Sequence, residues 1–258
     1  MGSDHQKRPS LENLVESEDL GLEILHPGGL EITRELATLC HIGKGSKVLD
    51  VAAGTGESAC YLQENLGSQV IGIDASDDMV ERTRKKTAER HLSVQSQKGD
   101  AHNLPFEDNT FDAVISECTT CILNKDRAIR EMVRVAKPGA YVGIHDLCWK
   151  EGTSEHLKQR LAELEGEKPE TLNRWKRLFE QAGLEDVRTV DKSSLIFAWT
   201  KGVRKELGLI GQAKVFLKAI QNWGFRGFAR ILELMRILQN EHTGYALVVG
   251  RKPFASAS

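Results

Sequence analysis

The sequence predicts an α/β fold: a seven-stranded, mostly parallel sheet with helices on both faces and a helical insertion between the last two strands. Three features predict it. Short apolar runs such as Val48–Val51, Val70–Ile73 and Ala113–Ile115 alternate with segments of helical periodicity. These runs are nearly continuous rather than apolar at alternate residues, as strands covered on both faces must be. The first runs into the small-residue turn Ala52-Ala53-Gly54-Thr55-Gly56 and on into a helix, the strand–turn–helix corner of nucleotide-binding sheets.

The elements follow in order. Residues 1 to about 20 read as a polar tail, and Met1–Ser10 holds no signal-peptide core. After the turn His26-Pro27-Gly28-Gly29, Leu30–Cys40 is helical, with Ile32, Leu36 and Leu39 on one face. Gly43-Lys44-Gly45 ends that helix, and the first strand covers 46–51. Val70–Asp74 is the second strand, ending in an acid; Ser76 then caps a helix with Asp77 and Asp78 in its first turn. Leu92–Gln97 is the third strand and Phe111–Ser116 the fourth. Lys125–Ala136 is a helix, Lys137-Pro138-Gly139 a turn, and Tyr141–Leu147 the fifth strand. Leu172–Ala182 is helical, Asp186–Val190 the sixth strand and Tyr245–Gly250 the seventh. Between the last two lie helix patterns on Leu209, Ala213, Phe216, Ile220 and Trp223, and on Phe228, Ile231, Met235 and Leu238. The organisation expected is a tail and capping helix over 1–45, a Rossmann-like ligand-binding domain over 46–191 and 242–253, and a helical insertion over 192–241.

Composition bounds the function. The 258 residues are 40% hydrophobic and 28% charged, ordinary for a globular chain with one sizeable core. A net charge of −2 leaves no global nucleic-acid footprint, and no apolar run is long enough to span a membrane. The five cysteines, an odd number in a long chain, imply no disulfide framework and fit a reducing cytoplasm.

The glycine turn poses the question of which nucleotide. Gly54 and Gly56 are expected to let the backbone approach a ligand where a Cβ would clash. Gly54-x-Gly56-x-x-Ala59 fits the dinucleotide fingerprint. Glu57, standing where a pyrophosphate would sit, and Asp50, inside the strand, speak against it. S-adenosylmethionine has no phosphate, carries a sulfonium and an ammonium, and tolerates both acids. A strand–helix turn that holds no ligand is the bland alternative.

Six blocks stand in order along the chain: Val48–Gly56, Gly72-Ile73-Asp74-Ala75-Ser76, Gly99-Asp100-Ala101, Leu104-Pro105-Phe106, Asn109-Thr110-Phe111-Asp112 and Arg134–Gly139. Together they resemble the class I S-adenosylmethionine-dependent methyltransferases, in the small-molecule branch of the ubiquinone/menaquinone C-methyltransferases. The resemblance covers roughly 46–147 and the last strand. It departs at Ala52, where many relatives have glycine, and throughout 191–241. It implies that Asp50, Ala52, Ala53, Gly54, Thr55 and Gly56 line the methionine part of the cofactor, with Asp50 orienting its ammonium. Asp74 would accept the ribose hydroxyls, since a carboxylate can take two O–H bonds at once. Ala75, Ser76 and Met79 would lie toward the adenine. Asp100 would accept from the adenine amine and the Ala101 N–H would donate to a ring nitrogen. Ser116 would end its strand under the methyl group. Taken singly, Asp74 and Asp100 also read as loop or capping acids.

The acceptor is less legible. The fourth strand runs into Glu117-Cys118-Thr119-Thr120-Cys121 and the fifth into His145-Asp146-Leu147-Cys148. In such a fold these ends are neighbours, so three thiols and an imidazole are placed to converge. Three readings stay open. The cysteines are small apolar fillers and His145 a core histidine. His145, oriented by Asp146 or Glu117, is a general base. Cys118, Cys121 and Cys148 hold a soft or thiol-reactive substrate, as Ser116-Glu117-Cys118 resembles a block of the arsenite methyltransferases. Those enzymes need a late cysteine, and none follows Cys148 here. One C-x-x-C is a weak zinc signal, and no resident metal is expected. The insertion carries nine Lys or Arg and three Glu between Lys192 and Glu241, with Trp199, Trp223, Phe225 and Phe228. It reads as a lid over a small-molecule acceptor, with peripheral membrane contact open to it, or else as a dimer surface or plain packing. A cofactor-binding protein without turnover is the alternative outside enzymes.

Overall fold

The computed structural model describes residues 27–254, with the side chains of much of 196–222 left out of the description. The expected tail lies outside these residues. Helix α1 (Gly29–Leu39) precedes β1 (Lys47–Val51), α2 (Glu57–Leu66), β2 (Gln69–Asp74), α3 (Asp77–Glu89) and β3 (Gln95–Lys98). Then come β4 (Phe111–Glu117), a 3-10 turn (Thr120–Ile122), α4 (Lys125–Val135) and β5 (Ala136–Trp149). The last part comprises α5 (Glu155–Glu165), β6 (Glu170–Thr171), α6 (Leu172–Gln181), β7 (Glu185–Asp191), the helical run α7 (Ser194–Leu238) and β8 (Thr243–Arg251).

The sheet order is β3-β2-β1-β4-β5-β8-β7, with β8 antiparallel to both its neighbours and the short β6 beside the end of β5. The chain winds outward from β1 through β2 to β3, then returns to β4 on the other side of β1. The carboxyl ends of β1 and β4 therefore border the switch point where open α/β sheets bind ligands.

Side-chain alternation sorts the core into two layers. Leu49, Val51, Val114, Val142 and Ile144 pack with Ile129 and Met132 of α4, Leu161 of α5, Trp175 and Phe179 of α6, and Leu234 of α7. Val48, Ala113, Ile115, Leu247 and Val249 pack with Ile32 and Leu36 of α1 and Ala59 and Leu62 of α2. Asp50 and Glu117 share the parity of Val48 and Ile115, so they project toward the layer of α1 and α2.

The structure adjusts several boundaries. β3 begins at Gln95, three residues later than the pattern predicts. The Lys137-Pro138-Gly139 turn is absorbed into an irregular start of β5, with Gly139 at φ +81 and a register shift against β4. Two elements had no clear periodic signal: α5, which buries only Leu161 and Leu164, and the two-residue β6. The insertion is helical from Ser194 onward and broken at Gly208 (φ 57) and Gly224 (φ 66), giving three segments rather than two. Ile231 and Leu238 are buried as expected, whereas Ala213 is exposed; Leu209 and Phe216 lie outside the described side chains.

Gly56 is where the glycine turn depends on glycine for packing. It sits at φ +74, and a Cβ there would come within 2.4 Å of Thr83 Cγ2 on α3. Thr83 is buried and its Oγ1 donates to the Gly54 carbonyl at 3.0 Å, so it has little room to yield. Gly56→Ala is expected to cost about 2 kcal/mol of stability through backbone strain and this overlap. Urea denaturation checks it; an unchanged midpoint would show that α3 can move aside.

Candidate functional site

The β1–α2 turn is built on left-handed residues. Ala52 (φ 59), Gly54 (φ 54) and Gly56 (φ 74) reverse the chain within five residues. Ala52 is one of few residues other than glycine in this region of the backbone, a conformation that costs an L-residue about 1–2 kcal/mol. The Ala53 N–H donates to the Ile73 carbonyl (3.0 Å), and the Gly56 N–H to the Ala53 carbonyl (2.9 Å). A Cβ on Gly54 would meet no protein atom within 4 Å. The two glycines thus divide the expected role: Gly54 leaves open backbone, and Gly56 makes room for Thr83.

Asp74 ties the turn to the next strand. Its Oδ2 accepts from the Gly54 N–H and its Oδ1 from the Ser76 N–H, both at 2.9 Å. Each oxygen retains a lone pair, so the carboxylate is oriented without being used up. Ser76 caps α3 by accepting from the Met79 N–H at 3.4 Å. Ala75 is exposed beside it and Met79 is buried beneath. Thr55 Oγ1 receives Lys86 Nζ at 3.4 Å.

Three acids gather at the ends of β1, β2 and β4. Asp50 is 2% exposed and its Oδ2 has no hydrogen-bond partner. Burial first, then the charges of Glu117 and Asp74, push its pKa up to about 8. Glu117 accepts from Thr33 Oγ1 of α1 at 3.0 Å and from Ser58 Oγ of α2 at 2.6 Å. Sequence reasoning missed Thr33 and Ser58. The signal was there in part: both are hydroxyl residues on helices whose other inward positions are apolar. Ser116 Oγ and Thr120 Oγ1, near the end of β4, are also buried without a hydrogen-bond partner.

Glu57 behaves differently from the expectation. It does not present a bare negative charge at the helix start. Lys86 Nζ lies 2.7 Å away and Arg90 binds both its oxygens at 2.9 Å, which holds its pKa low despite burial. The argument against a dinucleotide therefore passes from Glu57 to Asp50 and Glu117.

On the loop after β3, Asp100 Oδ1 accepts from the His102 backbone N–H (2.9 Å) and meets His102 Nδ1 at 2.7 Å. Ala101 is half-buried against the core. His102 was not singled out by the sequence.

The acceptor side brings together part of what was expected. His145 pairs with Glu117 across β5 and β4, is fully buried, lies with its ring 5.3 Å from that of Tyr245 at a tilt of 35°, and has Nδ1 3.8 Å from Cys118 Sγ. Cys118 sits at φ 54, which ends β4 and aims its N–H at the His145 carbonyl (2.6 Å). Asp146 is committed to the loop backbone. Its Oδ2 accepts from the Cys121 N–H at 2.9 Å and its Oδ1 from the Leu147 N–H at 2.7 Å, while burial raises its pKa to about 6.

The three thiols do not form one cluster. Cys121 packs with Asp146, whereas Cys148 lies by Ser193 at the start of α7. Burial pushes Cys118 and Cys121 well above the usual thiol range and Cys148 up to about 12, and neighbouring acids add to each shift. Thiolate, the form that binds soft ligands, is therefore disfavoured, which speaks against the arsenite-type alternative. Among the described residues no group of His, Cys, Asp and Glu has the arrangement of a metal site.

Residues 49–144 match the family described as Methyltransferase domain. The chain carries a methyltransferase domain over these residues, on the S-adenosylmethionine-dependent class I fold. It is 30% identical over 200 residues to a phosphoethanolamine N-methyltransferase of Triticum aestivum, a match covering 75% of this chain and 38% of the wheat protein. It is 41% identical over 112 residues to a demethylmenaquinone methyltransferase of Staphylococcus epidermidis, covering 42% of this chain and 46% of the other. The match thus spans less than half the length of these relatives. Among solved structures, phosphoethanolamine N-methyltransferase 2 of Haemonchus contortus, in complex with S-adenosyl-L-methionine, superposes with a TM-score of 0.78 at 20% identity, over 93% of this chain and 57% of that one. S-adenosylmethionine is the methyl donor of this family, and the site passes a simple test of fit. A phosphate-free cation suits a pocket edge where Asp50 is buried without a partner for Oδ2 and where Asp74 and Glu117 stand close enough to raise its pKa.

Proposed function

We propose that this methyltransferase transfers a methyl group from S-adenosylmethionine to a small-molecule acceptor at the ends of β4 and β5. The observation that carries this reading is the convergence of Asp50, Asp74 and Glu117 on the switch point of the sheet. Asp50 would hold the ammonium through Ala52–Gly56, Asp74 the ribose hydroxyls, Ala75, Ser76 and Met79 the ribose and adenine edge, and Asp100 and Ala101 the adenine. Ser116 would lie beneath the reacting centre. The bound cofactor supplies an already activated methyl on its sulfonium, so much of the rate comes from alignment of the two reactants. Glu117, held by Thr33 and Ser58, places a fixed negative charge beside that centre. His145 takes the acceptor's proton at a ring nitrogen where the acceptor must lose one, with Cys118 packed against the imidazole.

The acceptor is a small molecule with an anionic or aromatic part. The relatives' names supply one of each kind, phosphoethanolamine and demethylmenaquinone, and both suit the positive, aromatic-rich stretch 192–241. That stretch serves as the lid, hinged at Gly208 and Gly224. Shortening it within 209–223 is expected to leave S-adenosylmethionine affinity within about twofold while lowering turnover at least tenfold. Retained turnover would make it a packing element.

Release of S-adenosylhomocysteine, measured over a panel of amine, phenol and quinol acceptors, tests the chemistry. His145→Ala is expected to lower turnover by about 100-fold and to remove the acidic limb of the pH–rate profile. Cys118→Ser and Cys121→Ser are expected to stay within a few-fold of the parent. Loss of activity in the cysteine variants with His145→Ala intact would reverse the assignment.

A further inference from the structure

His102 is held at three points. Its backbone N–H and its Nδ1 both reach Asp100 Oδ1, at 2.9 and 2.7 Å. Its Nε2 accepts from the backbone N–H of Asn124 at 3.0 Å. Asn124 is the N-cap of α4 and its side chain accepts from the Arg127 N–H at 3.2 Å; Arg127 Nη2 in turn reaches the His102 carbonyl at 3.4 Å. The ring therefore adds a link between two segments, beside the bonds that Arg127, Glu131 and Arg134 of α4 make to His102, Leu104 and Phe106. One is the loop after β3 that carries Asp100 and Ala101. The other is the segment 118–124, which leaves β4 through Cys118 and the 3-10 turn to reach α4.

We propose that His102 is a positioning residue that fixes the Asp100–Ala101 edge of the cofactor site to the N-terminus of α4, so that the adenine end and the acceptor-side loop are held as one unit. The proposal rests on the assignment of S-adenosylmethionine to this site.

The hydrogen bonds define the state of the ring. Asn124 offers a donor, so Nε2 must keep its lone pair, and Asp100 offers an acceptor, so Nδ1 carries the hydrogen. The neutral Nδ1–H tautomer satisfies both at once. A second proton on Nε2 would remove the bond to Asn124 and set two N–H groups against each other at a helix N-terminus, where positive charge is disfavoured. The charged side chains around the ring are Asp100 on its own loop and Arg127 on α4, with Asp126 in the same first turn of α4.

Titration with 5′-methylthioadenosine separates this role from that of Asp50. The compound keeps the adenine and ribose but has neither sulfonium nor ammonium, so it does not depend on the charge of Asp50. His102→Ala is expected to weaken 5′-methylthioadenosine and S-adenosylmethionine alike by about tenfold, as fits the loss of one or two positioning hydrogen bonds. His102→Asn retains a donor for Asp100 but cannot reach Asn124; it is expected to recover part of the affinity. In the parent, nitrogen NMR is expected to show His102 protonated at Nδ1 alone at neutral pH. A folded His102→Ala protein that binds 5′-methylthioadenosine within twofold of the parent would overturn the proposal, as would the opposite tautomer. A parent protein that binds neither compound would instead overturn the cofactor assignment beneath it.

Discussion

At pH 8 the cofactor-free Asp50→Asn protein is expected to be more stable than its parent while binding S-adenosylmethionine at least 100-fold more weakly. The two effects have one cause. Asp50 is buried at the end of β1, Oδ2 has no hydrogen-bond partner, and Glu117 and Asp74 stand nearby. Desolvation and these like charges raise its pKa to about 8. In the unfolded chain an aspartate titrates near 3.9. Between these values the native protein holds one proton more than the unfolded chain, so its stability falls as pH rises from roughly 4 to 8. The slope is at most about 1.4 kcal/mol per pH unit, shared among the coupled acids. Asparagine has no such linkage. It carries its own cost as a buried amide, which sets the net gain at pH 8 nearer about 2 kcal/mol. Denaturation at pH 5 and pH 8 checks the sign: the variant should lose its advantage at the lower pH. For the parent, cofactor binding below pH 8 releases a proton, so affinity should rise from pH 6 to about 7.5. It should fall again above about pH 8, where the ligand's α-amino group loses its charge. A flat profile, or an unaltered affinity in Asp50→Asn, would place the ammonium elsewhere.

Asp74→Ala should be as damaging to binding without the gain in stability. The carboxylate fixes the Gly54 and Ser76 N–H groups from the inside of the turn, and both lose their acceptor when it is removed. The ribose hydroxyls lose theirs too. Two or three uncompensated hydrogen bonds amount to about 3 kcal/mol, or more than 100-fold in affinity. Asp74→Asn keeps one acceptor oxygen and should fall between. Calorimetry with S-adenosylmethionine measures both. Titration with NAD under the same conditions is expected to show no binding. Its ribose would suit Asp74, but its phosphates would face Asp50 and Glu117. Comparable affinity for NAD would make this a dinucleotide site, a result that the neutralised Glu57 by itself would permit.

The sequence by itself determined the frame of this protein. Continuous apolar strands can be satisfied only by cover on both faces, and the order of the acids Asp50, Asp74 and Asp100 relative to their strands places all three at one edge of a parallel sheet. These are local facts of period and spacing, legible without contacts. Ser76 as a helix cap belongs to the same class. What the tertiary structure decided depends on partners far along the chain. Glu57 reads locally as an acid facing a would-be pyrophosphate, but Lys86 and Arg90, some 30 residues away, close around it. Cys118, Cys121 and Cys148 follow the ends of neighbouring strands, yet Cys118 and Cys121 lie by Asp146 and each other while Cys148 meets Ser193. Thr33 and Ser58 could not be matched to Glu117, 84 and 59 residues later, by any local pattern. Burial, which raises Asp50 and silences the thiols, is a property of the packed layers and has no one-dimensional signature.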